Sequence, residues 1–304
     1  MILSDKIEGN PKFRKILYNL KGELMLEKLL FIMKSSLIKS RLCLFAIAII
    51  TGFSFIPINI TFAADTDVMA QESHVIPYPA GYNLTNEGAS AYQGIGNVKN
   101  SPYFTSVDYY NLKSTDTLTI LPHYKTYQQS TEITCGPAAA LTVLYHFGDT
   151  NWEEKRIAQI MGTKPAVGTN TKGMVTFFKQ LGWEVQSSLT TEKNNNTFTS
   201  VKDFKEFVIT NLKNNTPVLV ENIDWGGHWR VIIGYDTMGT AAEADDVLIL
   251  ADSYDTADHL QDGYVVNPVQ KFYYMWFDAH MLPKDHQEQQ WLVVKPPAAK
   301  HNSN

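Results

Sequence analysis

A cysteine stands at the mouth of a helical stretch in the run Gln128 to Gly148, QQSTEITCGPAAALTVLYHFG. Pro137 suits a first helical turn, where its fixed φ is right and its missing N–H costs nothing. Ala138, Leu141, Leu144 and Phe147 then recur at helical spacing, and Gly148 sits where a left-handed cap ends a helix. The spacing places Cys135 at the positive end of a buried helix. A free thiol, with a pKa of about 8.5, is only slightly ionised at neutral pH. Bringing such a pKa to about 7 takes roughly 2 kcal/mol, at about 1.36 kcal/mol per unit. A helix N-terminus supplies about 0.3 to 1 kcal/mol, so a nucleophilic cysteine here needs an imidazole beside it.

Among the eight histidines, His228 has the setting for that task. Trp225-Gly226-Gly227-His228-Trp229 leads straight into the apolar strand Arg230 to Tyr235, which puts the imidazole at a sheet rim. The two glycines before it let backbone or substrate come close. The next strand, Asp246 to Asp252, ends in a carboxylate. A hairpin centred near residue 240 sets residues 228 and 252 opposite each other on neighbouring strands. Asp252 can then accept the imidazole N–H and fix its tautomer, with Asp255 as the alternative if the register slips. Upstream, Gln129 lies on the extended run that leads to Cys135, where its amide can join the Cys135 backbone N–H in binding an oxyanion.

The elements that must carry these residues follow in order. Tyr109 to Pro122 alternates like an edge strand. Asn151 with Glu154 reads as a capping box for a second helix that ends near Gly162. Thr171 reads as the cap of a third helix that closes at Gly182. Trp183 to Leu189 alternates as a strand, EKNNNT is a solvated turn, and Ser200 with Asp203 opens a fourth helix running to about Asn214. From Pro217 the pattern turns to strands: PVLVENI, HWRVIIGYD, DVLILAD and QQWLVV. Helices followed by strands imply an α+β domain, a helical layer on an antiparallel sheet, spanning residues 120–296. Residues 297–304 form a tail.

The chain has 304 residues, 44% apolar, and can bury a sizeable core. A net charge of −5 with 19% charged residues, the lysines and arginines scattered, gives no basic face and excludes nucleic acid as partner. Residues 1–63 read as a signal segment. Lys34, Lys39 and Arg41 precede the apolar Leu42 to Ile56, and Thr61-Phe62-Ala63 makes a small-x-small site, with cleavage expected after Ala63 and the true start at Met33. Cleavage would leave no stable membrane anchor and would place the product in a secreted or periplasmic location. It would also remove Cys43, leaving Cys135 as the single thiol of the mature chain. Residues 64–119 are polar and rich in Asn, Gly, Ser and Pro; they read as an arm or linker, or a propeptide lying in the cleft.

Gln129, the CGPAAA from Cys135, the GGHW around His228 and the ADS ending at Ser253 together resemble papain-like cysteine peptidases. They are most similar to the bacteriocin-processing (double-glycine leader) peptidase family and its stand-alone relatives. The resemblance covers roughly residues 120 to 295. It implies a papain-like fold with Cys135 as nucleophile, His228 as base, Asp252 as orienting carboxylate and Gln129 as oxyanion donor. No cofactor is implied, and the partner is a peptide or protein substrate met by a monomer. The chain has Asp252-Ser253 where that family usually has Asp-Pro, and nothing in it resembles the attached transporter or ATP-binding region.

The expected activity is peptide or amide hydrolysis through an acyl-enzyme on Cys135. The same residues could serve a thiol acyltransferase, since phytochelatin synthases share the order Cys, His, Asp. They could also sit in an inactive peptide-binding relative, with Trp225, Trp229, Tyr273, Tyr274 and Trp276 holding a ligand. Asp252, Asp255, Asp258, His259 and Asp262 crowd one stretch. Their spacing fits no EF-hand, and they read as a solvated acidic loop lining a cleft for basic substrates rather than as a metal site.

Overall fold

The computed structural model describes residues 74–92 apart from 83, 85 and 86, residues 103 and 105, and residues 107–297 apart from 166, 191–197, 257–259, 279–283, 285 and 286. The expected signal segment 1–63 with Cys43, the EKNNNT turn, Asp258, His259 and residues 298–304 lie outside the described residues.

The described strands are β1 (Leu118–Ile120), β2 (Glu184–Ser187), β3 (Val218–Asn222), β4 (His228–Asp236), β5 (Val247–Ala251), β6 (Tyr264–Pro268) and β7 (Gln290–Lys295). They form one sheet in the order β2-β7-β3-β4-β5-β6, every ladder antiparallel. β4 is the hub. Its first half pairs with β3, from Asn222↔His228 to Val218↔Ile232, and its last three residues pair with β1. Its other edge pairs with β5, where a shift between Ile232 and Gly234 marks a bulge. Buried on both faces, the β3 and β4 backbones are fixed by pairing on either side, and a side chain at the start of β4 inherits that rigidity.

Five helices accompany the sheet among the described residues: α1 (Cys135–His146), α2 (Glu154–Met161), α3 (Thr171–Gln180), α4 (Val201–Lys213) and α5 (Val269–Tyr274). α1 packs on β4, α2 and α3. Every residue from Cys135 to Leu144 is buried, which suits a helix apolar on all sides. Its alanines at 138 to 140 let neighbours approach the backbone. Gly148, at φ 85°, ends it in the left-handed conformation expected from the sequence.

Three local expectations are corrected. Asn151 does not cap α2, which starts at Glu154 after an extended Glu153 with no side-chain cap. The Glu154 side chain instead turns inward, accepting the Ser130 N–H at 3.0 and 3.3 Å and the Tyr127 hydroxyl at 2.9 Å. The cap of α3 is Asn170, whose side chain accepts the Gly173 N–H, while Thr171 donates to Gln290 across the core. The run 109–122 yields only a short strand, because Tyr109–Asn111 forms a 3-10 turn. Ser200, by contrast, caps α4 through the Asp203 N–H at 3.1 Å, as the sequence indicates.

Residues 74–92 differ from a loose linker. Ile76 donates its N–H to the Thr126 carbonyl at 2.8 Å, Thr126 returns one to His74 at 3.0 Å, and Ala89 donates to Gln129 at 3.0 Å. Ile76 and Ala89 are buried. The segment thus braces the run from Thr126 to Ser130 from outside, and Glu154 braces it from inside. Glu154→Ala leaves the Ser130 N–H and the Tyr127 hydroxyl buried without an acceptor. It is expected to cost about 3 kcal/mol, read as a lowered urea midpoint at unchanged slope.

Candidate active site

Three elements converge on one cleft: the extended run from Gln129, the N-terminus of α1, and the start of β4. A cavity of about 330 Å³ opens there, walled by Gln129, Glu132, Cys135, Trp225, His228 and Tyr254 among others. Cys135 is nearly buried at 7% exposure yet lines this cavity, so its sulfur is reachable from one side. Gly136, next to it, lies so close to Thr169 that an added Cβ would come within 2.9 Å of the threonine Cβ. The glycine of CGP therefore lets the 167–169 loop press against the helix start and form the cleft's far wall.

His228 is 2% exposed, and its Nε2 lies 2.7 Å from Asp252 Oδ1. With Nε2 taken by the carboxylate, the imidazole shares the cavity wall with Cys135, whose thiol also acts on its pKa. Burial pushes the imidazole pKa down, but the Asp252 carboxylate and Cys135 outweigh it and raise it to about 9. Burial likewise pushes Asp252 up, while His228 and Arg230 bring it down to about 2. Arg230 holds the second Asp252 oxygen at 3.5 Å, and bonds Asn222 and Asp224 at 2.8 Å each. The Tyr254 N–H donates to Asp252 Oδ1 at 2.8 Å. This is a fixed ion pair whose carboxylate is bonded on both oxygens.

The pairing is diagonal rather than directly opposite, because β4 and β5 meet as Val231↔Ala251 beyond the bulge. Asp255, the alternative orienting group, faces away and accepts the Gly263 N–H at 2.9 Å. The described carboxyls of the acidic stretch are not solvated: Asp252, Asp255 and Asp262 are all buried. Asp262 accepts the Tyr264 N–H at 2.9 Å, so Asp255 and Asp262 hold the turn between β5 and β6 and do not line the cleft.

Gln129 is 1% exposed, and its side chain is held at both ends. Oε1 accepts from the Ser253 hydroxyl at 2.9 Å, and Nε2 donates to the Thr131 carbonyl at 2.8 Å. The Gln129 N–H donates to the Ser253 carbonyl at 2.8 Å. An amide NH₂ has two hydrogens, so one remains for the cleft. The serine after Asp252 thus ties the glutamine to the aspartate's own turn, a contact that the sequence did not announce.

Of the five aromatics, Trp229 and Trp276 belong to the core at 1% and 2% exposure. Tyr273 is tied by its hydroxyl to the Phe198 carbonyl, and Tyr274 is exposed. Trp225 alone stands at the cleft mouth, 68% exposed, at φ 58°, edge-on to Tyr254. Gly226 and Gly227, at φ 93° and 153°, make the turn that returns the chain to His228. Two residues missed from the sequence join the site: Tyr254, whose hydroxyl donates to Glu132 at 2.7 Å, and Glu132 itself, which also accepts the Gly88 N–H at 3.0 Å.

Among solved structures, the chain is similar to the peptidase domain of Streptococcus ComA, a bi-functional ABC transporter involved in a quorum sensing pathway. The two are 21% identical with a TM-score of 0.39, covering 58% of this chain and 100% of that one. It is also similar to a double glycine motif protease from an AMS/PCAT transporter in complex with the leader peptide, at 15% identity and TM-score 0.33, covering 60% and 96%. No curated protein matches the chain. The model of the Peptidase_C39 like family matches residues 122–279, just over half of the chain, from before Gln129 to beyond Asp252. The chain therefore belongs to the Peptidase_C39 like family and has its papain-like α+β fold.

Proposed function

We propose that this chain is an exported cysteine peptidase that cuts a peptide or amide bond through an acyl-enzyme on Cys135. The observation that carries this reading is that Cys135 and the Asp252-bonded His228 line one cleft. His228 takes the proton of the Cys135 thiol, and the sulfur attacks the scissile carbonyl. The oxyanion is received by the Cys135 backbone N–H and the remaining Gln129 Nε2 hydrogen. The imidazolium then gives its proton to the leaving amine, and water, activated by the same ring, hydrolyses the thioester. Asp252 keeps the ring in one tautomer and stabilises its cationic form. Export is supported by the basic, apolar and small-residue succession between Lys34 and Ala63.

An acid quench of the mature protein with a mixed peptide substrate, followed by mass spectrometry, tests the reading. The expected result is an acyl adduct on Cys135 that decays to a carboxylic acid product. Adding an amine separates hydrolysis from transfer, since a transferase returns the new amide in place of the acid. Intact peptides with no adduct across a diverse mixture would contradict both.

Ser253 gives a finer check. Ser253→Ala frees Gln129 Oε1 and lets the amide rotate. It is expected to lower kcat about 3- to 10-fold with KM little changed, in keeping with one lost hydrogen bond to a positioning group.

A further inference from the structure

Beneath the cleft lies a second, smaller cavity of about 20 Å³, which shares the walls Cys135, Val167, Gly168 and Gly227 with the larger one. Its floor is acidic: Glu221 from β3 and Asp278, 2% and 1% exposed. Glu221 is held in place. Its Oε2 accepts from Gln290 Nε2 at 3.2 Å, and Gln290 Oε1 accepts from Thr171, so one carboxyl oxygen is anchored through a series that reaches α3. Its Oε1 is buried with no hydrogen-bond partner among the described residues. An orphaned buried carboxyl oxygen is costly, and a fold keeps one when something else satisfies it. Burial pushes the Glu221 carboxyl well above its ordinary range against the Gln290 hydrogen bond, and Asp278 and Cys135 add to that push. A cation beside it would relieve all three.

We propose that Glu221 and Asp278 form a recess for a primary ammonium group of the substrate, next to the scissile bond. The inference rests on the peptidase reading and specifies its substrate class. The space holds one water-sized group, which an ammonium head matches and a guanidinium exceeds. An anion is repelled by two carboxyls, and an apolar group leaves the Glu221 oxygen unpaired. Gly168 and Gly227 flank the approach without side chains, so an extended or slender chain can bring the ammonium down from the cleft. The ammonium is either the α-amino group of a short substrate or the ε-amino group of a lysine.

Three chloromethyl ketones distinguish these sources by their second-order rates of Cys135 alkylation, followed by intact mass. Glycyl chloromethyl ketone carries an α-ammonium, N-acetyl-lysyl chloromethyl ketone an ε-ammonium, and N-acetyl-norleucyl chloromethyl ketone none. One of the cationic reagents is expected to react about tenfold faster or more than the neutral one, the scale of a buried charge pair made or lost. Glu221→Gln is expected to bring that ratio close to one, and Asp278→Asn to reduce it, each variant checked for native folding by its thermal transition. The reagent with the advantage identifies which amine the recess takes. A neutral ketone as fast as both cationic ones in the native protein would overturn the recess while leaving the nucleophile intact. Slow alkylation by all three and by iodoacetamide would overturn the peptidase reading and the recess with it.

Discussion

Cys135→Ala is expected to remove turnover by a factor of roughly 10⁴ or more while leaving the fold unchanged. The size follows from the geometry. Cys135 supplies the attacking atom, and no other described side chain at the cleft can replace a sulfur fixed at the start of a buried helix. The fold survives because the lost group is a single sulfur atom on a side chain that lines a cavity. Kinetics on a peptide substrate, with far- and near-UV circular dichroism of both proteins, check it. Residual turnover within tenfold of the native protein would remove the sulfur from the reaction.

Asp252→Asn is expected to lower kcat by about 10²- to 10⁴-fold and to change the pH dependence of stability. His228 is raised from its ordinary 6.5 to about 9, so the stabilisation it gains from its partners is complete below pH 6.5 and is lost as pH rises through 9. Asp252 is lowered from 3.8 to about 2, so its share is complete above pH 3.8 and is lost as pH falls through 2. Between those limits the native pair contributes fully. The asparagine keeps the shape but removes the charge, so His228 loses its main cationic support and the Arg230 guanidinium loses one acceptor's charge. The thermal transition of the variant is expected to lie below the native one most clearly between about pH 4 and 6.5, with the gap narrowing above pH 9. Differential scanning calorimetry across that range reads it directly. A pH-independent gap would show that the carboxylate and imidazole do not form an ion pair.

Much of this arrangement could be read from residue order. The helix after Cys135 announces itself by a proline in the first turn, apolar spacing and a terminal glycine, all local signals. His228 was legible because two glycines precede it and an apolar strand follows. Asp252 was legible as a strand end, but its diagonal approach was not: the ladder pairs Val231 with Ala251, so the hairpin is centred near residue 241 rather than 240, a difference that the loop composition does not reveal. Glu154 shows a local motif overridden by tertiary structure: its spacing from Asn151 mimics a cap, yet its carboxyl is needed by Ser130, 24 residues earlier. β6 and α5 were missed. YVVNP, at the edge of the sheet, buries only Tyr264, and VQKFYY is too short for a helical period to emerge. Glu221 drew no attention within VLVENI, because nothing local shows that β3 lies between β4 and β7 and buries all five of its residues. The contacts of Ser253 with Gln129 span 124 residues and have no sequence signature at all.

The central claim is that Cys135 is an activated thiol held beside His228. The rate of Cys135 alkylation by iodoacetamide, followed by mass spectrometry at about pH 6, tests it most directly, with the urea-unfolded chain and His228→Ala as comparators. The native thiol is expected to react about tenfold faster than the unfolded one, and His228→Ala to lose that advantage, because the base that takes the thiol's proton is gone. A native rate no faster than the unfolded rate, unaffected by loss of the imidazole, would contradict the account.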